Sequence, residues 1–160
     1  VTIEETIQPL EIGKAEVLTV GDDVVLLAIG SGVREALKAR TLLIKENIHA
    51  TVVNCRFVKP LDKELIFSLA KQIPKLVTVE ENAIAGGAGA AVSELLAARG
   101  IDTPVLHCGI PDEYVEHGDH KAQLAALGLD GEGIAKAIRA RLQQMTDTEP
   151  KPVTPAKAGH

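Results

Sequence analysis

Glu80 and Glu81 are adjacent carboxylates at the end of a β-prone run. General acid and base catalysis uses such pairs, because neighbouring carboxylates push one another's proton affinities apart. Successive residues of an extended chain point to opposite faces, so at most one of the two faces a given pocket. An interface role, or a salt bridge to Arg56 or Lys59, is favoured over catalysis. Cys55 and Cys108 each end a strand-like run. A thiol without a neighbouring base is no nucleophile, and both are read as small buried hydrophobes. His117 and His120 stand three apart, a metal spacing only with further ligands that the chain does not advertise. Gly30-Ser31-Gly32 shares the opening of a dinucleotide fingerprint, but Glu35 occupies the third glycine position, and Asn54 and Cys55 stand where an acid would hold a ribose. A tight strand-to-helix turn is the preferred reading. Gly86-Gly87-Ala88-Gly89 presents N–H groups at a helix start, where anions bind. Glu80 and Glu81 would repel phosphate there, so the glycines are read as room for another backbone.

Composition narrows the partners. The chain of 160 residues holds two Phe, one Tyr and no Trp, and its net charge is −5. Few rings can stack on bases and phosphates find no excess of positive charge, so nucleic acid is excluded as a partner. The longest apolar run, residues 24–29, has six residues where a membrane span needs about twenty. The acidic opening lacks the pattern of a signal peptide, and two cysteines 53 positions apart form no disulfide framework. A reduced, cytoplasmic protein is expected. The first residue is Val, which suggests a piece cut from something longer.

Strand-like and helix-like stretches alternate, as in α/β domains. Residues 16–20 and 24–29 are β-prone and separated only by Gly21-Asp22-Asp23, so they are expected to pair as an antiparallel hairpin. A helix follows Gly32 to about Asn47, with Val33, Ala36, Leu37, Leu43 and Ile44 on one face. Residues 50–55 form the next strand. Asp62 caps a second helix that Pro74 closes. Residues 75–79 and 105–108 complete the parallel set, with a helix between them stopped by Gly100. A short helix over 121–127 and a last one capped by Asp130, burying Ile134, Ile138, Leu142 and Met145, close the domain. The expected fold is a three-layer α/β/α domain whose five-stranded mixed sheet has its first strand antiparallel. Loops beyond the strands' carboxyl ends are where ligands and partners gather.

Those loops carry a resemblance. Arg56-Phe57-Val58-Lys59-Pro60-Leu61-Asp62, then Val77-Thr78-Val79-Glu80-Glu81-Asn82 leading to Gly86-Gly87-Ala88-Gly89, then Gly109-Ile110-Pro111-Asp112, Glu116-His117-Gly118 and Leu127-Gly128-Leu129-Asp130 stand in fixed order. Together they resemble the C-terminal domain of the 1-deoxy-D-xylulose-5-phosphate synthase family, over about residues 10–142. The resemblance implies a thiamine-diphosphate and magnesium-dependent parent that joins pyruvate, after loss of carbon dioxide, to glyceraldehyde 3-phosphate, feeding isoprenoid, thiamine and pyridoxal synthesis. It implies a homodimer of three-domain chains, of which this sequence matches the third, a transketolase C-terminal type.

The family's magnesium and diphosphate motif, Gly-Asp-Gly with a downstream Asn, is missing. Gly21-Asp22-Asp23 and Gly118-Asp119-His120 lack its second Gly and the Asn. No catalytic, cofactor-binding or metal-binding residue is therefore carried over, and the isolated segment is expected to be inactive. The domain reading is a linker at 1–10 from upstream domains, a transketolase C-terminal-like domain at 11–145 and a disordered tail at 146–160, the last from its prolines. The expected role is docking of the upstream catalytic domains and dimerisation. Its surface is placed on Arg56, Glu80, Glu81, Asn82, Gly86, Gly87 and Tyr114. The backbone admitted at Gly87 would be another domain's, so alanine there is expected to leave the isolated domain stable if φ is negative. The alternatives are a parent that is a transketolase or a 2-oxoacid dehydrogenase beta subunit, and a free-standing module binding a small anion at residues 86–89.

Overall fold

The computed structural model describes residues 9–148. Ten elements follow one another: β1 (Glu16–Thr19), β2 (Val24–Ala28), α1 (Gly32–Ile44), β3 (Ala50–Asn54), α2 (Lys63–Gln72), β4 (Leu76–Ala83), α3 (Ala88–Ala98), β5 (Val105–Ile110), α4 (His120–Ala126) and α5 (Gly131–Thr148). The strands form one mixed sheet in the order β1-β3-β2-β4-β5, with β1 antiparallel to β3 and all other pairs parallel. Every residue of β2 is buried, because it lies inside a sheet covered on both faces. Val24, Leu26 and Ala28 pack against Ala36, Ala39 and Leu43 of α1 and Ile134 and Ile138 of α5. Val25 and Leu27, one residue out of phase, pack against Ile66 of α2 and Val92 and Leu96 of α3.

The expected hairpin does not form. β1 and β2 do run in opposite directions, but β3 lies between them. Residues 21–23 cross over the amino end of β3 instead of turning within the sheet. Gly21 N donates to Thr51 Oγ1 at 3.0 Å, and Thr51 Oγ1 donates to Gly21 O at 2.6 Å. Asp23 N donates to His49 O at 3.0 Å, and His49 N donates to Asp23 Oδ2 at 2.7 Å. The crossing needs a glycine, since a Cβ at position 21 would lie 2.5 Å from the carbonyl of His49. The last two strands also run longer than expected: β4 continues through Glu80, Glu81 and Asn82 to Ala83, with a register shift after Val79, and β5 reaches Ile110. The helix α5 extends through Thr148, three residues into the segment expected as tail. The remainder of that segment and most of the expected linker lie outside the described residues.

Helix starts carry the expected caps and one unexpected one. Asp62 Oδ1 accepts from Leu65 N at 3.2 Å, and Asp130 Oδ1 accepts from Gly133 N at 2.8 Å. Glu35, buried in α1, reaches 96 positions along the chain to accept from Gly131 N at 3.1 Å, fixing the start of α5 against α1. Burial pushes the Glu35 carboxyl up, but hydrogen bonds from Lys38 and Arg34, the Lys38 charge and the Gly131 N–H outweigh it and hold it below the usual carboxylate range.

Two outcomes follow from this packing. Gly21→Ala should cost about 1–3 kcal/mol in urea unfolding, the usual range for forcing atoms into a filled space; a loss under about 0.5 kcal/mol would show that the crossing tolerates a side chain. Because Glu35 titrates lower in the folded than in the unfolded chain, its stabilisation is complete above the ordinary glutamate value and fades as pH falls through the folded one. Glu35→Gln should therefore destabilise by about 1–2 kcal/mol at pH 7 and by much less at pH 3. A pH-independent difference between the two proteins would contradict the assignment.

Candidate functional site

The chain moves from β2 to β3 on one side and then back past β2 to β4 and β5 on the other. The sheet's switch point therefore lies between the carboxyl ends of β2 and β4, the position where open α/β sheets place their functional loops. Glu80, Glu81 and Asn82 lie on β4 there.

Glu80 and Glu81 point to opposite sides, as the strand alternation requires. The side of Glu80 is closed. It is 2% exposed, its Oε2 accepts from Ala88 N and its Oε1 from Gly89 N, both at 2.8 Å. The carboxylate thus occupies the amino terminus of α3, where the helix dipole favours negative charge. Three glycines enclose it. A Cβ on Gly87 would lie 2.5 Å from Glu80 Oε2 and collide with Ala83 O; one on Gly89 would lie 3.1 Å from Oε1 and 2.5 Å from Thr78 Oγ1; one on Gly109 would lie 3.3 Å from Glu80 Cγ. Next to this nest, His107 Nδ1 and Thr78 Oγ1 are hydrogen-bonded at 2.7 Å, and His107 Nε2 and Ser93 Oγ at 3.0 Å. Burial lowers the His107 imidazole below its ordinary value, with the Glu80 carboxylate acting in the opposite direction.

Glu81 faces outward and joins two loops. Ser31 Oγ, after β2, donates to Glu81 Oε2, and His120 Nε2, at the start of α4, pairs with Glu81 Oε1. The Ser31 hydroxyl first, then His120 by hydrogen bond and charge, hold the Glu81 carboxyl below the usual range. Neither glutamate pairs with Arg56 or Lys59. Arg56 instead pairs with Glu16 of β1, Nη2 to Oε2 at 2.6 Å, and its backbone takes φ 55° while its N donates to Asn54 Oδ1. Asn82 and Gly86 are exposed, and every residue of the segment 111–120 is exposed, with Tyr114 fully so.

Of the seven residues expected to form the surface, Arg56, Glu81, Asn82, Gly86 and Tyr114 are at least partly open along the carboxyl edge. Glu80 and Gly87 are buried within the domain and offer none. The backbone that approaches Gly87 is the domain's own. Ser31, His120 and Gly109 complete the site, and sequence reasoning did not link them to it. His120 lies 39 positions from Glu81, and Gly109 comes next to Glu80 only through the pairing of β4 with β5.

An anion has no room at residues 86–89, because the amides it would need already bind Glu80. The same contact decides the fit of a diphosphate cofactor, which would meet the Glu80 and Glu81 carboxylates. No group of three or more His, Cys, Asp or Glu side chains among the described residues is arranged to hold a metal ion. Among the described residues, those of this edge do not fit thiamine diphosphate and magnesium. Burial pushes the Cys55 thiol up to about 12 and the Cys108 thiol up to about 11, so neither supplies a thiolate nucleophile near neutral pH.

Gly87 has φ −80°, so alanine there meets no backbone strain, only the Glu80 carboxylate and the Ala83 carbonyl. Gly87→Ala should lower stability by about 1–3 kcal/mol in the isolated chain, reversing the tolerance expected for a glycine that faces another domain. An unchanged or raised melting temperature would show that the nest has slack.

The comparisons with known proteins fit this picture. The family model for the transketolase C-terminal domain matches residues 13–134. A protein of a Synechococcus species named 1-deoxy-D-xylulose-5-phosphate synthase is 51% identical over 140 residues, which are 88% of this chain and 22% of that protein. One of the same name from Thiobacillus denitrificans is 52% identical over 145 residues, 91% of this chain and 23% of that protein. The chain thus spans about a fifth of the length of these curated relatives. Among solved structures, a chain described as the inactive β4 tetramer of a split-gene transketolase superimposes with a TM-score of 0.78 at 33% identity, over 88% of this chain and 47% of that one. A transketolase of Pichia stipitis shares the fold, with a TM-score of 0.61 at 18% identity over 82% of this chain and 18% of its own. The match of sequence along most of the described residues, together with the shared fold, establishes that the chain belongs to the transketolase C-terminal domain family.

Proposed function

We propose that the chain is the C-terminal domain of a 1-deoxy-D-xylulose-5-phosphate synthase and serves it as a docking module for the catalytic domains. The observation that carries this reading is identity of about one half, over about nine-tenths of the chain, to relatives of that name. The 33% identity to a split-gene transketolase chain favours a transketolase parent less strongly. The parent would be a cytoplasmic thiamine-diphosphate and magnesium enzyme that condenses pyruvate with glyceraldehyde 3-phosphate and releases carbon dioxide. The cofactors supply the carbon–carbon chemistry when bound, and the rest of the parent holds them.

This domain's own residues do something else. Glu80 consumes the free amides at the start of α3, so the loop 86–89 is set from within and presents a fixed outline. Glu81 ties the loop after β2 to the start of α4, and so anchors one end of the exposed segment that carries Tyr114. Arg56, Glu81, Asn82, Gly86 and Tyr114 together form the edge that meets a partner surface, upstream domains of the same polypeptide or their copies in a homodimer. Aromatic anchors exposed on an otherwise polar rim are what such interfaces use. No helix among the described residues is long and apolar enough to cross a membrane.

The 160-residue chain, given pyruvate, glyceraldehyde 3-phosphate, thiamine diphosphate and magnesium, should release no carbon dioxide above background, while the full-length parent should turn over. In that parent, Glu81→Ala should lower activity or assembly several-fold. In the 160-residue chain the same change should move the melting temperature by only a few degrees, since an exposed ion pair contributes at most about 1 kcal/mol. An unimpaired parent combined with a severely destabilised 160-residue chain would assign Glu81 to the domain's own stability.

A further inference from the structure

The outer edge of β1 holds an unexplained surface. Five of the exposed large apolar side chains, Leu10, Ile12, Val17, Leu18 and Val20, fall within eleven residues at the start of the described chain, and Ile12 and Val20 are 74% and 82% exposed. β1 is the last strand of the sheet, so the amides that point away from β3 have no strand partner among the described residues. Isolated proteins blunt such edges with charge, with short strands or with bulges; β1 has four residues and a register shift between Val17 and Thr19, which leaves its exposed apolar side chains unaccounted for. Here only Glu16 is charged within β1, and its carboxylate is turned to Arg56.

Because β1 is antiparallel to β3, Leu10 and Ile12 approach it from the carboxyl edge of the sheet, whereas Val20 lies at the amino edge. Gly13, with φ 76°, packs beside Pro60, and Ala15 N donates to Asp62 Oδ2 at 3.1 Å, so the entering chain is clamped to the loop before α2. Val58, also exposed, lies in that loop. The exposed apolar residues therefore begin where the chain is clamped to the loop of Pro60 and Asp62 and extend past β1 to Val20, and Glu16 of β1 pairs with Arg56 of the carboxyl-edge surface.

We infer that the outer edge of β1, with Leu10, Ile12, Val17, Leu18 and Val20, is covered in the parent by the upstream domains that precede residue 1 of this chain. Two observations choose this occupant. The family model describes a C-terminal domain and the relatives are several times longer, so in them the remaining length precedes this segment. The strip also starts where the described chain enters, so the preceding polypeptide reaches it without a long connection. The inference rests on the docking reading above but concerns a second face, whose partner is in the same polypeptide.

Hydrogen exchange followed by mass spectrometry on the 160-residue chain and on the full-length parent tests it. Peptides covering residues 9–20 should exchange at least tenfold more slowly in the parent, and Val20→Asp in the parent should restore fast exchange there while residues 24–28 stay protected. Equal exchange at 9–20 in the two unmodified proteins, whether fast because nothing covers the edge or slow because a second copy does, overturns it. Peptides covering 111–120 report separately on the carboxyl-edge surface, and the carbon dioxide assay on the parent's chemistry. An active parent with protected 111–120 and unprotected 9–20 would therefore overturn this inference alone.

Discussion

A buried carboxylate satisfied by backbone is the interaction on which the carboxyl edge depends. Glu80 lies inside the domain with no lysine or arginine paired to it among the described residues, and two amides at the amino terminus of α3 take the place of a counter-ion. Leaving such a group without hydrogen bonds would cost several kcal/mol. Sequence and backbone are fitted around it. Position 87 lacks a side chain because the carboxylate and a carbonyl fill that space, and position 89 because Thr78, His107 and Glu80 converge there. The register shift after Val79 lets β4 run on past the glutamate. Glu35 plays a similar part on the opposite face, binding the first amide of α5. In both cases a glutamate from a neighbouring element binds the first amides of a helix, 8 and 9 residues away for Glu80 and 96 for Glu35, which joins α3 to β4 and α5 to α1.

That arrangement settles what the edge can do. A helix start with free amides is an anion site, and the loop 86–89 has lost that capacity to Glu80. Paired carboxylates with one free member could exchange a proton with a substrate, but Glu80 is enclosed and Glu81 holds Ser31 and His120. What remains is a rim bearing polar side chains and one protruding tyrosine, with exposed apolar residues on and beside β1. On the docking reading proposed above, this is the surface that would meet another protein surface.

Much of the fold was legible in the residues. The two faces of β2 follow from an unbroken apolar run, the helix faces from their periodicity, and the starts of α2 and α5 from Asp62 and Asp130. Gly100 and Gly128 end their helices with φ of 66° and 69° as glycine stops do. The pairing of β1 was not legible. A three-residue link between two β-prone runs signals a hairpin, and nothing local reveals that residues 50–54 insert between them; only the Gly21 contact with His49 and the Thr51 hydroxyl explain the crossing. At the site, the alternation of Glu80 and Glu81 was legible, but their partners were not. The amides at 88 and 89, the hydroxyl of Ser31 and the imidazole of His120 are brought there by tertiary packing, across separations of 8 to 50 residues. The glycine cluster is expected to admit another domain's backbone, whereas the groups that approach it are the domain's own carboxylate and carbonyl.

Whether Glu80 closes the start of α3 to outside anions can be measured by titrating the isotope-labelled chain with inorganic pyrophosphate and magnesium while following amide resonances. With Glu80 in place, the Ala88 and Gly89 amide signals should not move beyond the drift that ionic strength causes in exposed residues. A saturable shift confined to Ala88, Gly89 and their neighbours would contradict it and would mean that the carboxylate gives way to a ligand.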